Sequence, residues 1–182
     1  MHNVSCKTPF NKPHSNQLRK GRFSVKFGIY LATFVTKKRK PLFSDLYLAR
    51  KVIRNLNKSH YADTLAFVVM PDHVHWLLQL RTSKTLSQVI QAAKITCTKS
   101  INKEIDGKGT IWQPGFHDHA LRSEEALKPI ARYVVANPIR ANLVRSVKDY
   151  PHWDAVWINN EDVVISSEIK VVPEKPPNMR VN

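Results

Sequence analysis

Two histidines one residue apart, His73 and His75, stand in the stretch Val68-Val-Met-Pro-Asp-His-Val-His-Trp-Leu-Leu-Gln-Leu80. A Pro71-Asp72 turn signal between two apolar runs predicts a strand, a tight connection and a second strand. Side chains alternate along a strand, so His73 and His75 share one face while Val74 and Trp76 take the other. Two imidazoles roughly 7 Å apart along one face of a rigid strand can hold one divalent metal ion. The same spacing also describes two half-exposed histidines on a solvated face. The apolar setting supports the metal reading, because ring nitrogens turned inward require partners.

Whether the pair does chemistry depends on what else converges on it. Tyr133 lies four residues before Asn137, which puts both on one face of a continuous helix. A phenol is a weak nucleophile at neutral pH, yet beside a metal that polarises a phosphate it can attack and form a covalent intermediate. Taken alone, Tyr133 also reads as a core aromatic with its hydroxyl tied off, and Asn137 before Pro138 as a helix N-cap. His117-Asp118-His119 is a second His-x-His in a more polar segment, expected at the surface or facing substrate. Trp112, Phe116, Trp153 and Trp157 could stack on unpaired bases, though burial in the core is the commoner fate of such residues.

The elements that must position these groups follow from periodicity. Gly28 to Thr36 is β-branched and aromatic, as in a largely buried strand. Ser44 and Asp45 can cap a helix to about Lys58, with Leu46, Ala49, Val52, Ile53 and Leu56 at helical spacing. Strands over about 64–70 and 73–80 come next, then a helix over about 86–102. That helix carries Leu86, Val89, Ile90, Ala93, Cys97 and Ile101 on one stripe, with Lys94 and Lys99 off it. Residues 111–116 form a loop and 117–121 an edge or fourth strand. Ser123 with Glu124 and Glu125 starts another helix, bent near Pro129, and Asn137-Pro138 opens a further turn to about Val144. The order β-α-β-β-α-β with a trailing helix is the split βαβ arrangement, an α+β fold with helices packed on an antiparallel sheet.

Charge indicates the partner. Among 182 residues, 29 Lys+Arg against 14 Asp+Glu give a net charge of +15. The excess is segregated: Lys7, Lys12, Arg19, Lys20, Arg22, Lys26, Lys37, Lys38, Arg39 and Lys40 precede Pro41 with no acidic residue among them. A basic excess gathered in one region is the footprint of a polyanion, here nucleic acid. Arg19, Lys20, Arg22, Lys37, Lys38, Arg39, Lys40, Arg132 and Arg140 are the candidate DNA contacts. The expected organisation is a basic mobile arm over 1–22, one domain over 23–159 and a flexible tail over 160–182. Two cysteines, no secretory h-region and no run of eighteen apolar residues make a reducing cytoplasm the expected compartment, with no membrane partner.

Five segments carry a family resemblance: Leu18-Arg-Lys-Gly-Arg-Phe-Ser24, Arg39-Lys-Pro-Leu-Phe43, Met70-Pro-Asp-His-Val-His75, Ile111-Trp-Gln-Pro-Gly-Phe116 and Ala131-Arg-Tyr-Val-Val-Ala-Asn-Pro-Ile-Arg-Ala-Asn-Leu-Val144. In them the chain resembles the REP-associated tyrosine transposases, single-tyrosine members of the HUH endonuclease superfamily. Asn142 departs from the pattern, where the family often has glycine. The resemblance implies a ferredoxin-like fold and a Mg²⁺ or Mn²⁺ site built from His73 and His75, with Asn137 as third ligand. It makes Tyr133 the nucleophile that cuts single-stranded DNA, leaving a 5′-phosphotyrosine and a free 3′-hydroxyl. It also implies imperfect palindromes from intergenic repeats, folded as hairpins, as the DNA partner of a monomer or homodimer. The alternative is a hairpin-binding module, for DNA or RNA, that has lost catalysis.

Overall fold

In the computed structural model, residues 24, 26–121 and 127–156 are described. The basic arm with Arg19, Lys20 and Arg22, the helix start at Ser123, Trp157 and the C-terminal tail lie outside them. The elements run β1 (Ile29–Val35), α1 (Leu46–Asn57), β2 (Ala62–Met70), β3 (His73–Leu80), α2 (Leu86–Glu104), β4 (His117–Leu121), α3 (Leu127–Val135), α4 (Asn137–Arg140) and β5 (Trp153–Ala155). The strands form one antiparallel sheet in the order β4-β1-β3-β2-β5. Each helical crossover skips one strand, β1-α1-β2 around β3 and β3-α2-β4 around β1, which is the split βαβ topology.

The sheet is covered on both faces. One side carries the main core, in which Phe34, Phe67, Val74, Trp76 and Leu78 lie under α1 and α2. Trp76 is fully enclosed, and its indole N–H donates to Thr64 Oγ1 at 3.1 Å, so its one polar atom is satisfied inside the core. The trailing helix lies on the opposite side: Ala131, Val134 and Val135 of α3 pack with Ala66, Leu77, Val68 and Met70. The β-α-β-β-α-β unit alone would leave that second face bare, and the apolar stripe of α3 covers it.

Local chemistry sets most boundaries. Asp45 caps α1 by accepting from the N–H groups of Tyr47 and Leu48. Within α1, Leu48 is buried and Leu46 is exposed, so the stripe begins two residues later than its spacing suggested. Thr85 and Gln88 form a capping box at the start of α2. All six residues of the predicted α2 stripe are buried. After α4 the chain reverses through Asn142 at φ 55°, a left-handed conformation in which glycine is most at ease and asparagine is among the better-tolerated alternatives. The turn therefore accepts the asparagine that stands at this position.

Candidate active site

The Pro71-Asp72 connection between β2 and β3 is pinned from outside the hairpin. Buried Thr36 directs both its N–H (2.8 Å) and its hydroxyl (3.0 Å) to the Asp72 carbonyl. The Asp72 side chain then bridges two partners, with Oδ1 2.5 Å from His73 Nδ1 and Oδ2 2.6 Å from Arg39 Nη1. Burial pushes the Asp72 carboxyl up, but the hydrogen bonds from His73 and Arg39 outweigh it and hold the group below its ordinary range. It therefore stays a carboxylate and an acceptor for the imidazole.

His75 is oriented from the neighbouring strand. Thr33 of β1 is its cross-strand partner, and Thr33 Oγ1 stands 2.9 Å from His75 Nδ1. With both Nδ1 atoms engaged on the outside, the two Nε2 atoms turn toward each other at 3.2 Å. Two nitrogens bound side by side at about 2.0–2.1 Å from one ion stand roughly 3 Å apart, so this pair fits a single divalent metal. Supporting partners on the far ring nitrogen are the arrangement that fixes imidazole orientation in metal sites. Among the described residues no group of three or more His, Cys, Asp or Glu is placed to hold a metal.

Burial, then the neighbouring His73 and Arg140, lower the His75 pKa to about 3. The ring is therefore neutral near pH 7, the form in which its nitrogen can bind a cation. Its folded pKa lies below the ordinary value of 6.5, so the unfolded chain takes up the proton first as pH falls. Stability contributed by neutral His75 is complete above pH 6.5 and is lost on descent toward pH 3, by at most about 1.4 kcal/mol per pH unit. Melting curves in EDTA between pH 7.5 and 4 should show this slope, reduced in His75→Asn. Parallel slopes for the two proteins would show that His75 is not the group held neutral in the fold.

Tyr133 and Arg140 reach the same end of the sheet from α3 and α4. Val134 packs with Val68 and Met70, which are the β2 partners of His75 and His73. Neighbouring Tyr133 is partly exposed at 38%. The Arg140 guanidinium lies 4.4 Å from the Tyr133 ring centroid, and its charge is felt at His75. Asn137 is the first residue of α4, not its N-cap; Ala136 holds the cap position in a helical conformation. The Asn137 amide donates to the carbonyls of Tyr133 and Val134, both at 3.0 Å, which ties off the end of α3 and leaves Oδ1 as its acceptor.

The remaining candidates scatter. Lys37, Lys38, Arg39 and Lys40 are exposed on a turn past β1 in which Lys38 and Arg39 have positive φ, and Arg39 is committed to Asp72. Arg132 is exposed on α3. His117 and His119 are exposed on edge strand β4, where His117 pairs with Thr33, so both share the His75 face. Trp112 is buried against Phe34 and Phe43. Sequence reasoning missed the supports. Asp72 was visible beside His73 but read as a turn former, and Thr33 is reached only through strand register.

Known proteins resemble this chain over most of its length. The family described as "Transposase IS200 like" matches residues 24–137. A REP-associated tyrosine transposase of Escherichia coli (strain K12) is 26% identical over 137 residues, 71% of this chain and 78% of that protein. A Haemophilus influenzae protein provisionally given the same name is 25% identical over 168 residues, 80% of this chain and 96% of its own length. A solved REP-associated tyrosine transposase bound to a REP hairpin superposes with a TM-score of 0.61 at 26% identity, covering 72% of this chain and 79% of that one.

Proposed function

The chain belongs to the IS200-like transposase family, and from that premise we propose that it is a metal-dependent tyrosine endonuclease that cuts and rejoins single-stranded DNA at hairpin-forming repeats. The observation that carries this reading is the convergence of His73 and His75 Nε2 at 3.2 Å, each imidazole held from behind, with the Arg140 charge felt at His75 and its guanidinium over the Tyr133 ring. His73 and His75 would hold Mg²⁺ or Mn²⁺, with Asn137 Oδ1 as third protein ligand. Bound there, the ion would draw charge from a phosphate oxygen.

The chain's own residues supply the rest. Tyr133 Oη gives up its proton to water and attacks the phosphorus, the bond to the 3′-oxygen breaks, and the freed 3′-oxygen takes up a proton from water, giving a 5′-phosphotyrosine and a 3′-hydroxyl. The permanently charged Arg140 guanidinium, 4.4 Å from the ring centroid, would stabilise the negative charge that develops on the phosphate. Because one phosphodiester replaces another, the same 3′-hydroxyl or a second strand can reverse the step without an external energy source. The relative solved with a REP hairpin supports a folded palindrome as the partner here as well.

A denaturing gel tests the reading. Protein incubated with a labelled single-stranded hairpin oligonucleotide and Mn²⁺ should yield a protein–DNA adduct resistant to SDS. Tight hairpin binding with no adduct under any divalent metal would instead support the non-catalytic binding module. The basic region supplies a separate expectation. Replacing Lys37, Lys38 and Lys40 by Ala should weaken hairpin binding and flatten the slope of log K against log salt. The slope should fall by roughly 0.7–0.9 for each phosphate that the variant no longer neutralises. Deleting residues 1–22 should act in the same direction. An unchanged salt slope in both variants removes these residues from the DNA surface.

A further inference from the structure

A groove of about 710 Å³ lies on the other face of the sheet, between α2 and the 110–116 loop. Lys37, Lys94 and Lys99 line it, and none of its lining residues is acidic. Its apolar wall includes Ile95, exposed at 47% although it is a large aliphatic side chain, and half-buried Phe116. Gln91 and Gln113, residues whose side-chain amides carry donors and an acceptor, belong to the same lining.

Lys94 holds the groove in shape. Its ammonium donates to the carbonyl of Gln113 at 2.9 Å and to that of Gly115, fastening the loop to α2. An ammonium has three donors, so one remains for an anion or a base carbonyl. Burial lowers the Lys94 pKa to about 8, which leaves the group largely protonated at pH 7. The loop also crosses the end of β1: Lys37 N–H donates to Ile111 O at 2.7 Å, and Gln113 N–H to Val35 O at 2.8 Å. Val35 is the β1 partner of His73, so groove and histidine pair open at one end of the sheet, on opposite faces.

We infer that this groove binds one unpaired nucleotide of single-stranded DNA, with the phosphate at Lys37 and Lys99, the base over Ile95 and Phe116, and the base edge at Gln91 and Gln113. Cations, an exposed apolar wall and paired amides in one open groove match the phosphate, the ring face and the edge of a nucleotide. A duplex cannot present a free ring face, so the site distinguishes unpaired from paired DNA. The inference rests on the DNA-cutting reading only in taking DNA as the polyanion.

Binding without cleavage tests it. Fluorescence anisotropy in EDTA compares a blunt hairpin, closed by a non-nucleotide linker so that it holds no unpaired base, with the same hairpin carrying a four-nucleotide single-stranded extension. The uncharged change Gln91→Ala with Ile95→Ala, at two exposed positions, should weaken binding of the extended oligonucleotide about tenfold, the size of one stacked base. The blunt hairpin should bind both proteins alike. Light-induced cross-linking from 5-iododeoxyuridine in the extension should map to α2 or residues 110–116. Equal binding of the extended oligonucleotide by wild type and variant, or cross-links confined to other segments, overturns the site while leaving the endonuclease reading intact. Wild-type protein that binds neither oligonucleotide overturns both.

Discussion

Tyr133→Phe should bind a hairpin oligonucleotide as tightly as the wild type and leave it uncut. The substitution removes one oxygen from a partly exposed ring, so the packing of α3 through Ala131, Val134 and Val135 is untouched. The contact between the ring and Arg140 survives too, since it depends on the aromatic face. Only the attacking atom is removed. Cleavage and covalent adduct should therefore vanish together, a loss of at least about a thousandfold if nucleophilic catalysis carries the reaction. Phosphotyrosine mapping of the wild-type adduct should return the peptide containing Tyr133. An adduct that persists in the Phe variant, or that maps to Tyr150, would move the nucleophile. Tyr150 is the poorer choice on structural grounds: its hydroxyl donates to Val69 O at 2.7 Å, and burial raises its pKa to about 12.

How much of this was legible in the sequence depended on the range of the interaction. The α2 stripe, the Asp45 cap and the alternation of His73, Val74, His75 and Trp76 are local patterns, and the structure keeps all of them. The pairing of Thr33 with His75 joins residues 42 apart and follows from strand register, which periodicity does not encode. Lys94 shows a second limit. It falls off the apolar stripe and so reads as a solvated lysine, yet its long stem carries the ammonium to the carbonyls of a loop about twenty residues downstream. Asn137 shows a third. An Asn-Pro pair predicts a cap, but the preceding helix runs almost directly into α4, and the amide serves the end of one helix in place of the start of the next.

His73→Ala and His75→Ala should each abolish cleavage while hairpin affinity stays within about twofold, because affinity comes mainly from phosphate contacts. The supports behind the pair should show a graded effect. Thr33→Val removes the hydroxyl 2.9 Å from His75 Nδ1, and Asp72→Asn weakens the acceptor 2.5 Å from His73 Nδ1. Loss of such a partner typically costs about 10–100-fold in metal affinity or activity. Both variants should therefore cut DNA at raised Mn²⁺, with the metal concentration for half-maximal rate shifted upward by that factor. No Mn²⁺ concentration should rescue the histidine variants. Asp72→Asn carries a second consequence, since the same carboxylate holds Arg39, and it should shift more than Thr33→Val. His117→Ala is the control: it shares the face of His75 but lies on the edge strand beyond Thr33, so the metal dependence should not move. Cleavage that survives the double His73→Ala, His75→Ala change and stops with His117→Ala would place the metal on β4.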